Sequence, residues 1–168
     1  MTEQRNGGHC IFVGSCVYDW CYDCFTEDEK HELISLMEDV ATLFEFGFPP
    51  VFDRVSMRSI GHDCENPILK DLLAFGIATY DEKPFIYNTI RGLLSEAYVQ
   101  VRNYWYPSGY NHQGGYPYGT YRYSFDMYCA YMLSKLGQTK VFDESQGLVP
   151  YQFIYMARPD GHLMMDGD

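Results

Sequence analysis

The chain has 168 residues, enough to bury the core of one ordinary domain. Its 46% apolar and 21% charged residues exclude a disordered acidic tail. Twelve Lys plus Arg against twenty-three Asp plus Glu leave a formal charge of −11, so no overall basic surface is offered to nucleic acid or to an anionic membrane.

The first eight residues, Met1 to Gly8, are polar and carry no signal-peptide pattern, which reads as a soluble chain not exported by the usual signal. From Cys10 to Cys24 the apolar positions Ile11, Val13, Val17, Trp20, Cys21 and Cys24 recur at threes and fours and predict a largely buried helix. Asp19 and Asp23 interrupt this run, and no stretch reaches the roughly 20 apolar residues of a membrane span. Four of the six cysteines fall in this segment, a placement that suits buried free thiols better than a disulfide scaffold. The Cys21-Tyr22-Asp23-Cys24 pair would then share one helix face in the core. A thioredoxin-type site needs a preceding strand and a structural zinc site a second ligand pair, and the sequence offers neither.

Thr26 with Glu29 three residues on is a capping-box signature. Leu33, Leu36, Met37, Val40, Leu43 and Phe44 then form the apolar stripe of a second helix that Gly47 closes. A loop from about 48 to 62 holds Asp53, Arg54 and Arg58. A third helix is predicted from about Asp63 to Tyr80, with Pro67 in its first turn. A fourth follows Pro84, carries Ile86, Ile90, Leu93, Leu94, Ala97, Val101 and Trp105 on its apolar face, and ends before Pro107. The stretch Pro107 to Gly119 is a polar, aromatic, Gly-rich loop. A fifth helix runs from about Thr120 to Leu136 with Gly137 behind it, and a weaker sixth lies between Asp143 and Met156 around Pro150. No alternating stretch is long enough to establish a sheet. The fold class is all-α, made of helical hairpins of the kind that stack into toroids.

Two loops carry most of the polar chemistry. In Gly61-His62-Asp63-Cys64-Glu65-Asn66-Pro67, His62 and Glu65 stand three apart at a loop-to-helix junction, where an imidazole and a carboxyl can form an acid/base pair. Helix capping by Asp63 beside an incidental His accounts for the same residues. In the second loop, Ser108 through Arg122, Tyr118 precedes Arg122 by four residues at a helix start, which brings a phenol near a guanidinium able to fix an anionic ligand. Structural Tyr in a glycine-rich turn is the alternative. Aromatics at 17%, sixteen of them Tyr, suit carbohydrate stacking as well as packing.

The run Val17-Tyr18-Asp19-Trp20-Cys21-Tyr22-Asp23, the His62-Asp63-Cys64-Glu65 junction, the loop from His112-Gln113-Gly114-Gly115-Tyr116 to Tyr121-Arg122, and the Arg158-Pro159-Asp160-Gly161 tail together resemble the heparinase II/III-like polysaccharide lyases. The resemblance covers most of the chain and implies an (α/α) toroid over residues 1–157. Residues 158–168 would start the linker to a β-sandwich region, the turn sequences there suggesting a chain that is a slice of a larger protein. It further implies a periplasmic setting and β-elimination on uronic-acid-containing, glycosaminoglycan-like polysaccharides. His62, Glu65, Tyr118 and Arg122 take the family's site roles, with Tyr116 as the substitute one register away, and Arg58, His112 and Gln113 as further substrate contacts. The family's zinc ligands and a further catalytic His would lie downstream of Asp168, so no cofactor is expected within this chain. The expected partner is an anionic polysaccharide, with neither nucleic acid nor membrane. Faces left open by missing helices would favour a homo-oligomer. Two other readings remain open. One is a glycoside hydrolase on a similar toroid, with Asp53 and Glu65 as its carboxyl pair. The other is a helical fragment that binds carbohydrate without turning it over.

Overall fold

The computed structural model describes residues 2–44, 46, 48, 64–110 and 115–164. It is all-α. Among these residues the β contribution is one isolated bridge between Ala157 and Leu163. The chain folds as two compact units, Met1–Leu94 and Ser95–Asp168.

In the first unit, α1 spans Thr2–Trp20 and begins eight residues before the start predicted at Cys10. Gly7 and Gly8 lie inside it as places of close approach. A Cβ on Gly7 would press on Val40 and Phe44, and one on Gly8 would run into the Asp71 carboxylate. The buried face of α1 is Gly8, Ile11, Ser15 and Tyr18. Val13, Val17 and Trp20 are exposed, so the helix is buried on one side and not all round as the sequence suggested. It ends at Trp20, and Cys21 caps a separate 3₁₀ turn, Tyr22–Cys24. Cys21 is partly exposed and Cys24 exposed, which corrects their assignment to a helical core. Of the six cysteines, only Cys64 and Cys129 are buried.

Helix α2 is Glu27–Thr42. Thr26 caps it as predicted: its hydroxyl accepts from Glu29 N–H at 3.3 Å, and the Glu29 carboxylate accepts from Thr26 N–H at 2.8 Å. The buried stripe is Ile34, Met37, Ala41 and Phe44, leaving Leu36 and Leu43 outside. Gly47 lies outside the described residues. After helical Glu65 and Asn66, a π-helical segment Pro67–Leu72 passes into α3, Leu73–Ala78. This rod is buried along almost its whole surface, because α1 packs on both of its parts and α4, Pro84–Leu93, packs on α3. At the α3–α4 crossing Gly76 lies against the backbone of Ile86 and Tyr87.

A second π-helical segment, Leu94–Val99, leads into α5, Gln100–Trp105. The predicted apolar face continued through Val101 and Trp105, but the buried residues are Ala97, Tyr98, Arg102 and Tyr106, and Trp105 is exposed. The wider i→i+5 repeat shifts the inward face by one residue. A 3₁₀ turn, Tyr106–Ser108, follows and stops at Gly109, whose φ of 70° a residue with a side chain adopts at a cost. Helix α6 is Tyr116–Lys135, starting four residues before Thr120. The predicted loop therefore ends early. Gly115 sits at the cap, and Pro117 in the first turn lacks only an N–H that a helix start leaves unbonded anyway. The other end is a Schellman motif in which Gly137 N–H bonds to Ser134 O and Gln138 N–H to Leu133 O, each at 3.0 Å. Asp143 caps a 3₁₀ turn, Glu144–Leu148, and α7, Val149–Tyr155, follows with Pro150 in its first turn.

Candidate functional site

The first two turns of α6 hold three of the residues singled out in the sequence. Tyr118 and Arg122 are one turn apart, and the Arg122 guanidinium carbon lies 5.7 Å from the Tyr118 ring centroid. Arg122 is 1% exposed, whereas Tyr118 is half-buried. Tyr116, two residues earlier, lies on a different face of the helix, its ring edge-on to Phe153 of α7 at 6.3 Å. Of the two tyrosines left open by the sequence, Tyr118 is the one that meets the arginine.

One turn beyond Arg122 stands Asp126, and this carboxylate organises a buried polar cluster the sequence reading passed over. Its oxygens accept from Arg102 Nε at 3.3 and 3.2 Å and from the Tyr106 hydroxyl at 2.5 Å. Arg102, Tyr106 and Asp126 are each at most 1% exposed. Burial, and then the Asp126 charge, push the Tyr106 hydroxyl far above the ordinary tyrosine range, so it acts as a donor. The same two causes, in the same order, raise Tyr123 to about 12. Tyr123 donates to Gln146 O at 2.9 Å. The signal available in the sequence was two pairs at helical spacing, Arg102 with Tyr106 and Arg122 with Asp126.

In the first unit Glu65 is fully buried at the start of the helix that contains Pro67. A second buried carboxyl, Asp71, has Lys70 Nζ 3.0 Å away. Burial holds the Asp71 carboxyl above its ordinary range despite Lys70. His62, Arg58, His112 and Gln113 lie outside the described residues, as do Asp53 and Arg54.

Two aromatic hollows mark the surface of the second unit. One, of about 470 Å³, is walled by Tyr110, Leu148, Tyr151 and Tyr155, with Ser108 and Gln152 as polar groups. The other, of about 480 Å³, follows α6 past Tyr123, Met127, Tyr128 and Tyr131. Among the described residues no group of three His, Cys, Asp or Glu could hold a metal ion. No described helix is long and apolar enough to cross a membrane. No protein-family model matches the chain, and no curated protein sequence matches it either.

Proposed function

We propose that the chain belongs to a polysaccharide lyase that cleaves uronic-acid-containing polymers by β-elimination, with Tyr118 at the reacting centre. The observation that carries this reading is the Tyr118–Arg122 pair, a phenol and a buried guanidinium one turn apart at the head of α6. The resemblance of the motifs around His62, Glu65 and Tyr118 to the heparinase II/III-like lyases supports it, as does the all-α fold.

In this reaction charge develops on the uronate carboxylate as C5 loses its proton, so the site must neutralise that group and hold it. Within the second unit, Arg122 supplies positive charge to that carboxylate. Tyr118 takes the C5 proton and returns it to the departing 4-linked oxygen. Lyase turnover leaves an unsaturated uronate that absorbs in the ultraviolet. Mixing the chain with a panel of uronic-acid polysaccharides should raise that absorbance, and Tyr118→Phe should abolish the rise while Tyr116→Phe keeps most of it. Equal turnover by Tyr118→Phe and the native chain refutes the role of Tyr118, and new reducing ends without the absorbance refute the lyase in favour of a hydrolase.

The tyrosine-walled hollow at Tyr110, Tyr151 and Tyr155 favours a second reading, carbohydrate binding without turnover. Saturable binding of the same polymers, unchanged in Tyr118→Phe and lost in Tyr151→Ala, with no absorbance rise, selects it.

A further inference from the structure

The corner Trp20-Cys21-Tyr22-Asp23-Cys24 between α1 and α2 holds none of the catalytic or substrate-binding residues of the lyase reading. Its two thiols are free and reach solvent, Cys24 more than Cys21. Cys21 caps the 3₁₀ turn and Cys24 closes it, with Cys24 N–H donating to Cys21 O at 2.8 Å. In a 3₁₀ turn residues three apart eclipse, and a rise of about 2 Å per residue sets their Cα atoms about 6 Å apart. A disulfide spans roughly 4.4–6.8 Å between Cα atoms. The ideal geometry of the turn therefore sets the two Cα atoms at a separation that a disulfide can span.

The residues between them hold the turn in place without the sulfurs. Tyr22 donates to Glu82 Oε1 at 2.7 Å, and Lys30 Nζ lies 3.6 Å from the centre of the Tyr22 ring. Tyr18, fully buried, meets that ring edge-on at 5.6 Å. The turn is thus preformed while both thiols are reduced. The neighbouring thiols are placed differently. Cys10 and Cys16 lie six residues apart on α1, about 9 Å of helical rise, which is outside the disulfide range. Cys64 and Cys129 are buried.

We infer that Cys21 and Cys24 form a reversible dithiol–disulfide pair on the surface of the first unit, closed by exchange with a small-molecule disulfide such as oxidised glutathione. The Cys24 thiolate attacks one glutathione sulfur, forming a mixed disulfide and releasing one glutathione thiolate. The Cys21 thiolate then attacks the Cys24 sulfur, forming the internal bond and releasing the second. The two protons given up by the cysteines go to the two glutathione thiolates, which leave as thiols, so the cysteines are oxidised and the glutathione disulfide is reduced.

The test is differential alkylation of the whole chain after equilibration at graded ratios of reduced to oxidised glutathione. Free thiols are blocked with light iodoacetamide, disulfides are then reduced, and the thiols released take the heavy reagent. As the buffer becomes oxidising, Cys21 and Cys24 should lose the light label together, and the intact chain should lose two hydrogens without gaining glutathione. In Cys21→Ser, glutathione should accumulate on Cys24, the trapped intermediate. Retention of the light label at both positions of the native chain overturns the proposal. So does independent glutathione addition at Cys21 and Cys24 with no internal bridge.

Discussion

Two glycines in one helical hairpin should respond to the same substitution with opposite signs. Gly76 in α3 and Gly92 in α4 both occupy helix, where replacing Gly by Ala gains about 1 kcal/mol from propensity alone. At Gly92 a Cβ would meet nothing within 4 Å, so Gly92→Ala should keep most of that gain. At Gly76 the Cβ would lie 2.7 Å from both Cα and N of Tyr87 and 3.2 Å from the Ile86 carbonyl carbon. Ordinary contact begins at 3.4 Å, so α4 must retreat by 3.4 − 2.7 = 0.7 Å. Its backbone cannot rotate aside as a side chain would, and Ile86, Ile90 and Leu93, buried behind it, must move as well. Overpacking costs about 1–3 kcal/mol, and backbone meeting backbone puts this contact in the upper part of that range, about 2–3 kcal/mol, which outweighs the propensity gain and leaves a net loss of about 1–2 kcal/mol. For a unit of this size that lowers Tm by roughly 5–10 °C, while Gly92→Ala raises it by roughly 2–5 °C. Thermal and urea unfolding followed by far-ultraviolet circular dichroism measures both. A Gly76→Ala chain as stable as the native one would refute the close α3–α4 crossing.

Thr26→Ala removes the two hydrogen bonds of the α2 cap that pass through the hydroxyl and should cost about 1 kcal/mol in urea unfolding. Asp126→Ala strips Arg102 and Tyr106 of their shared buried acceptor and should cost about 3–5 kcal/mol, with Asp126→Asn in between; a loss below about 1 kcal/mol would contradict the buried cluster. Because burial raises the Asp71 carboxyl, the folded chain holds that proton more tightly than the unfolded one, and the stability it contributes is lost as pH rises from the unfolded value upward. Asp71→Asn should therefore stabilise the chain at pH 7 and lose that advantage toward pH 4, a trend read from denaturant midpoints across pH.

Helix existence was legible wherever periodicity and punctuation agreed. Thr26 and Glu29 announced α2, Pro84 the start of α4, and Gly137 the end of α6. The errors have two physical sources. Polarity and punctuation hide helix starts: the polar residues before Cys10 belong to α1, where Gly7 and Gly8 serve close packing, and Pro117 of the glycine-rich stretch occupies a first-turn position of α6 where it is tolerated. Periodicity was extended at 3.6 residues per turn through a segment with a wider repeat, which turned Arg102 and Tyr106 outward on paper and concealed their meeting with Asp126. The Tyr118–Arg122 adjacency was readable because both residues lie on one regular helix. Burial at Cys21 and Cys24 was misjudged because the helix ends at Trp20, one residue before the pair begins.

The π-helical stretch at Leu94–Val99 also decides how this part of the chain can gain or lose residues. A π turn holds one residue more than the α turn it replaces. Removing one residue there would let the backbone relax into uninterrupted α-helix while Arg102 and Tyr106 still point inward. The same deletion within α5 would swing every later inward residue about 100° around the axis and take both partners away from Asp126. Length variation in this helix is therefore tolerated at one address, and a related sequence one residue shorter between Leu94 and Val99 would preserve the same buried cluster.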